Sequence, residues 1–140
     1  MHILIVNGPN LNRLGKREIE IYGTTTLRDI ESRLKKNFPD LEIEFCQSNS
    51  EGDIIDKLQR AADGAAHGVI INPGAYAHYS YAIRDALSAL QIPVVGIHLT
   101  NVHAREKFRH ASVTPSACKG VIAGFGPMSY ELAVRFLVEK

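Results

Sequence analysis

Cysteine is scarce in this sequence. Cys46 and Cys118 stand far apart and share no C-x-x-C spacing, which argues against a disulfide framework or a zinc knuckle. Both lie in or beside apolar runs and read as buried, unreactive thiols. Net charge is nearly absent too, at +1 over 140 residues. So small a charge exerts no long-range pull on nucleic acid or an anionic membrane, and any anion must be bound locally. The amino-terminal run "ILIV" gives way at once to polar loop, too short for an export signal or a membrane span. The expected location is the cytoplasm. The six histidines show no i, i+4 pairing with Glu, and no Asp-rich cage is present, so no metal is expected. The loops lack G-x-G-x-x-G and G-x-x-x-x-G-K-[ST], which removes the specific handles for nucleotide cofactors.

What is present is an ordinary globular composition, 45% hydrophobic and 22% charged. A chain of this length forms one domain and buries roughly two-thirds of its unfolded surface. Short runs rich in Ile and Val recur at 3–6, 41–45, 68–72, 94–97 and 120–126. Four are unbroken by charge, as strands buried on both faces of a parallel sheet require. The second alternates with Glu42 and Glu44 and reads as an edge strand. Between the runs lie amphipathic segments at 26–38, 50–64, 80–90 and 128–140, with a loop or one-turn helix near 101–110. Thr26 with Asp29 resembles a capping box, and Pro39 closes the first helix. Alternation of this kind predicts a doubly wound α/β fold, a flavodoxin-like five-stranded parallel sheet of order 2-1-3-4-5 with helices on both faces.

That topology predicts where a ligand binds, in the crevice beyond the carboxyl ends of the strands. The residues delivered there are Asn7–Asn12, Asn72–His78, His98–Asn101 and Gly124–Pro127. A histidine ending a buried strand is commonly a structural group bonded to a carbonyl. At His98, the strand-end position followed by Thr100 and Asn101 favours proton delivery instead. Backbone N–H groups at Leu99 and Thr100 can hold a carboxylate. Asn72 and His78 share the loop "NPGAYAH", which is partly turn chemistry but offers more polar groups than a turn needs. "HAREKFRH", with His103 and His110, reads first as a solvated basic face. The stretch "KREIEIYG" at 16–23 has neither helix period nor strand alternation, yet brings Tyr22 and cations into a loop of about 12–24.

The motifs "NGPNLNRLGKRE…YG", "QSNSEGDIIDKL", "INPGAYAHYSYAIRDAL", "HLTNVHAREKFRH" and "GVIAGFGPMSYELA" together resemble type II 3-dehydroquinate dehydratase, in that family's order and spacing. The resemblance covers essentially the whole chain. It implies a cytoplasmic lyase of the shikimate pathway or quinate breakdown, without cofactor or metal, that converts 3-dehydroquinate to 3-dehydroshikimate. It also implies a homododecamer, a tetramer of trimers.

Residue by residue, the resemblance makes Tyr22 the base, acting as tyrosinate on a mobile lid, with Arg17 beside it to stabilise the negative charge. Asn10 steadies the enolate. His98, with Asn72 and a water, helps protonate the departing hydroxyl. Leu99 and Thr100 hold the substrate carboxylate, and His78 and Arg109 bind ring hydroxyls, joined by Asp85 from a neighbouring subunit. The sequence departs from the family pattern at Gly96, usually Glu, where the lost carboxylate should lower the His98 pKa and loosen the ring. Ile19 replaces a common proline in the lid, and Thr100 a more frequent serine. Gly96 supports one alternative, a catalytically impaired paralogue that binds a cyclic polyhydroxy acid.

Overall fold

The computed structural model describes residues 1–139. Five strands, β1 (His2–Asn7), β2 (Glu42–Gln47), β3 (Gly68–Asn72), β4 (Val94–His98) and β5 (Gly120–Ala123), form one sheet. Every neighbouring pair is parallel and the order is β2-β1-β3-β4-β5, the order the sequence predicts. The three inner strands are almost wholly buried, which is why they read as unbroken Val/Ile runs. β2 lies at one edge, with Glu42 and Glu44 exposed and Ile43 buried. Reversal of direction in strand order occurs between β1 and β3.

The helices cover both faces. Helices α2 (Leu27–Asn37) and α5 (Met128–Val138) set Ile30, Leu34, Ala133, Val134 and Leu137 against Ile3, Ile5, Ile70 and Ile97. Helices α3 (Glu51–Arg60) and α4 (Tyr81–Ser88) pack Ile54, Leu58, Ile83 and Leu87 against Leu4, Val6, Val69 and Ile71. Starts are set by side chains. Thr26 and Asp29 exchange bonds of 3.1 and 3.0 Å in a complete capping box, and the hydroxyls of Ser50 and Ser80 cap α3 and α4.

Three local expectations need correction. The helix expected over 50–64 keeps regular turns only to Arg60, and then widens over Ala61–Ala65 to Gly64 at φ 95°. "KREIEIYG" is not structureless, because it contains a one-turn helix, α1 (Ile19–Tyr22), entered from Glu18 at φ 34°. A single turn is too short to leave a periodic signature. The helix expected over 128–140 ends at Val138, and position 140 lies outside the described residues.

The β1 and β3 loops meet with no room to spare. Gly8 N–H bonds the Asn72 carbonyl at 2.8 Å, and a Cβ at Gly8 would collide with the Pro73 carbonyl. This contact brings the first and third strand-end loops to one place.

Candidate active site

Beyond the carboxyl ends of the strands, Tyr22, Asn72, His78, His98, Arg105 and Arg109 line a cleft with Gly74, Leu99 and Thr100. No carboxylate lines it, so its field suits an anion bearing hydroxyls. About 30 Å³ of free space remains, less than a six-membered ring needs. A larger open groove of about 560 Å³ runs along α3, but it holds neither histidine nor tyrosine. Chemistry rather than size makes the cleft the candidate site.

Tyr22 ends α1 and closes the cleft. Arg105 Nη1 donates to its phenol oxygen at 2.6 Å, and the Arg17 guanidinium lies over its ring, 4.4 Å from the centroid. Both cations stabilise negative charge on that oxygen. Arg105 also donates to Thr100 Oγ1 at 3.3 Å. Its Nε sits 3.5 Å from the Glu106 carboxylate without hydrogen-bond alignment, so that contact is attraction between charges only. His110 Nε2–H donates to the Arg105 carbonyl at 2.9 Å and fixes the turn that aims the guanidinium. Arg109 Nε bonds Glu106 at 3.2 Å.

The two cleft histidines stack, with centroids 6.0 Å apart and rings 9° from parallel. His78 Nδ1 lies 3.1 Å from the Ala111 carbonyl, which can only accept, so this nitrogen carries the proton. Burial lowers the His98 pKa to about 4, helped by the adjacent His78 and Arg109. Burial also lowers that of His78, against the bond to Ala111. Both rings are therefore neutral near pH 7 in this arrangement. At Gly96, two residues before His98, a Cβ would sit 3.2 Å from Cys118 Sγ. The thiol occupies the space that a side chain at position 96 would take. Burial pushes that thiol up to about 11, in keeping with an unreactive group.

Among the described residues, no group of three or more His, Cys, Asp or Glu side chains could hold a metal ion. Among them too, no helix is long and apolar enough to cross a membrane.

The family model for dehydroquinase class II matches residues 1–138. The chain belongs to the class II dehydroquinase family. Among similar proteins, the 3-dehydroquinate dehydratase of Halalkalibacterium halodurans is 55% identical over 139 residues, 98% of this chain and 95% of that one. The protein of the same name from Pelodictyon phaeoclathratiforme is 54% identical over 139 residues, covering 99% of this chain and 92% of its own. The crystal structure of type II dehydroquinase from Butyrivibrio crossotus matches at a TM-score of 0.95 and 47% identity, over 98% of this chain and 97% of that one.

Most residues that the family pattern singles out meet in the cleft: Tyr22, Asn72, His78, His98, Leu99, Thr100 and Arg109 all line it. Leu99 is buried in the core, which leaves its backbone for ligand contact. Arg17 lies over the Tyr22 ring, not at its hydroxyl. Asn10 does not line the cleft. It is exposed at φ 68°, with its N–H on Asn49 Oδ1 at 3.0 Å. Asp85 is exposed on α4 and likewise does not line this chain's own cleft. Arg105, the cation that touches the phenol oxygen, was missed by the sequence reading, which treated "HAREKFRH" as a solvated face. Nothing in the spacing marks it, since its partner lies 83 residues away.

Proposed function

We propose that this chain dehydrates 3-dehydroquinate to 3-dehydroshikimate by anti elimination through an enolate. One observation carries the reading. Tyr22, held between two guanidiniums, shares a carboxylate-free cleft with His98 and Asn72. Family membership and the names of the relatives agree with it.

Tyrosinate at Tyr22 takes a proton from the carbon beside the ketone, and that electron pair moves to the ketone oxygen as an enolate. Asn10, through a water, steadies it, which requires the exposed loop at Asn10 to turn inward. The enolate then collapses, forms the carbon–carbon double bond and expels the β-hydroxyl. That hydroxyl takes a proton from His98, by way of a water held with Asn72, and leaves as water. Proton return from the Tyr22 phenol to His98 resets the site.

A neutral His98 must first gain that proton. The substrate's own carboxylate, held at the Leu99 and Thr100 backbone beside it, supplies the opposite charge that raises the His98 pKa. Burial, helped by His78 and Arg109, sets it low in the free site, and the ligand's negative charge acts in the opposite direction. His78 and Arg109 take the ring hydroxyls.

The remaining free space does not admit a ring, so the lid at about 12–24 must lift, breaking the Tyr22–Arg105 contact, before substrate enters. The chain acts as one domain and needs no cofactor. It assembles as a dodecamer of four trimers in the cytoplasm, with Asp85 completing a neighbour's site. The exposed position of Asp85, and the exposed apolar side chains Met128, Leu132 and Phe136 on α5, support burial of those faces.

The decisive test mixes purified protein with 3-dehydroquinate and follows the ultraviolet absorbance of the conjugated enone. Turnover supports the reading. Ligand-induced stabilisation without product would instead favour the impaired paralogue that Gly96 raises.

A further inference from the structure

Tyr130, on α5, is fully buried and outside the cleft, and the chemistry above does not use it. Its phenol lies between two buried carboxamides, Asn7 at the end of β1 and Asn72 at the end of β3. These residues pair across the sheet. Asn7 Nδ2 donates to the Cys46 carbonyl at 3.0 Å. Tyr130 Oη donates to Asn7 Oδ1, and Asn72 Nδ2 donates to Tyr130 Oη at 3.2 Å. Gly74 N–H donates to Asn72 Oδ1 at 3.3 Å.

The direction of every bond follows from the two ends. A carbonyl can only accept, so Asn7 must turn its nitrogen toward Cys46 and its oxygen toward Tyr130. The phenol hydrogen then goes to Asn7, and its lone pair is left for a donor, which can only be Asn72 Nδ2. The Gly74 amide can only donate, so it fixes Asn72 Oδ1 from the other side. An isolated Asn can exchange its nitrogen and oxygen by a flip at little cost. Here a flip sets two donors together at Gly74 and two acceptors together at Tyr130, among buried side chains.

We infer that Tyr130 is a positioning residue for the dehydration, fixing through its phenol which end of the Asn72 carboxamide meets the water and the leaving hydroxyl. The inference rests on the proposed function, in which Asn72 holds that water with His98. Burial raises the Tyr130 phenol above the usual tyrosine range, so it remains a hydrogen-bond donor near neutral pH.

The test is a double-mutant cycle on the full chain, measuring kcat, KM and thermal midpoint for wild type, Tyr130→Phe, Asn72→Ala and the double variant. Tyr130→Phe is expected to lower kcat by about ten- to a hundredfold with KM within about twofold, since a misaimed group costs rate rather than binding. In the Asn72→Ala background the same change should cost no further kcat, while its loss of thermal midpoint persists. Full kcat in Tyr130→Phe with a lowered midpoint would show a purely structural phenol and overturn the inference. So would kcat losses that multiply in the double variant. If Tyr130→Phe does not yield folded protein, Asn7→Ala releases the phenol from its other side and carries the same two expectations. Absence of turnover in the wild type would fail the functional reading itself, an outcome distinct from any result within the cycle.

Discussion

Arg105 Nη1 and Tyr22 Oη lie 2.6 Å apart, joined across 83 residues of chain. Arg17, the nearer cation in sequence, instead stacks on the ring face at 4.4 Å. The two arginines therefore act differently on one group, Arg105 through a directed bond to the oxygen as well as a more distant ring contact at 5.1 Å, and Arg17 through the ring's π face alone.

That division predicts unequal costs. Arg105→Met removes a charge-assisted bond to the reacting oxygen and should lower kcat about 10- to 100-fold. Arg17→Met removes a cation–π contact and should cost kcat less, about tenfold or below. Both variants should keep a thermal midpoint near wild type, because neither guanidinium supports the core. Steady-state kinetics beside thermal melts check this. Equal kcat in Arg105→Met and wild type would remove Arg105 from the mechanism.

Tyr22→Phe keeps the ring beneath Arg17 and deletes only the hydroxyl. Loss of the proposed base should reduce kcat by at least about a thousandfold. The fold should lose no more than the worth of one hydrogen bond, about 1 kcal/mol. Product formation at high enzyme concentration, with circular dichroism as the control for folding, measures both.

The parts that were legible in the sequence share a physical cause. Strands buried on both faces must be continuously apolar, so "GVIIN" and "VVGI" announced themselves, and their order followed from the alternation with helices. His98 and Asn72 were legible as neighbours in one cleft because a doubly wound sheet gathers strand-end loops in one place. Arg105 was not, since a cation in an aperiodic loop looks the same whether it faces solvent or a phenol far off in sequence. Tyr130 was hidden in another way. On the buried face of α5 it reads as one more apolar position, and only the geometry shows its hydroxyl set between two carboxamides. α1 escaped because one helical turn has no period.

His98 makes the stability depend on pH. Its pKa is about 4 in the fold against 6.5 unperturbed, so between those values the unfolded chain binds the proton that the native chain refuses. Stability from this group is therefore complete above pH 6.5 and is lost as pH falls through about 4. The span corresponds to roughly 3 kcal/mol. His78, also lowered, adds in the same direction. His98→Gln should flatten the acid side of the stability curve, as measured by denaturant melts at successive pH values. An NMR titration of the ring should place its midpoint near 4 in the free protein and higher with 3-dehydroshikimate bound. A midpoint that ignores the ligand would contradict the proposed charging of the acid by the substrate.

Gly96 and Cys118 should prove to be one unit. An alanine at 96 brings Cβ to 3.2 Å from Cys118 Sγ and 3.4 Å from Val121 Cγ2, tighter than most Cβ contacts, so the half-buried thiol must give way. Gly96→Ala should cost about 1–3 kcal/mol. Most of that cost should vanish in a Cys118→Ala background, where the closest atom is gone. The same logic permits the carboxylate usual at this position in the family. Residues 96 and 98 share one face of β4, so Gly96→Glu with Cys118→Ala sets a negative charge beside the imidazole. An opposite charge favours imidazolium, so the His98 midpoint should rise above about 4 and the acid-labile window should narrow from below. A rise in kcat alongside that shift would show that this chain runs with a weakened acid. A shift with no gain in kcat would show that the substrate's carboxylate already supplies the charge that the chain lacks.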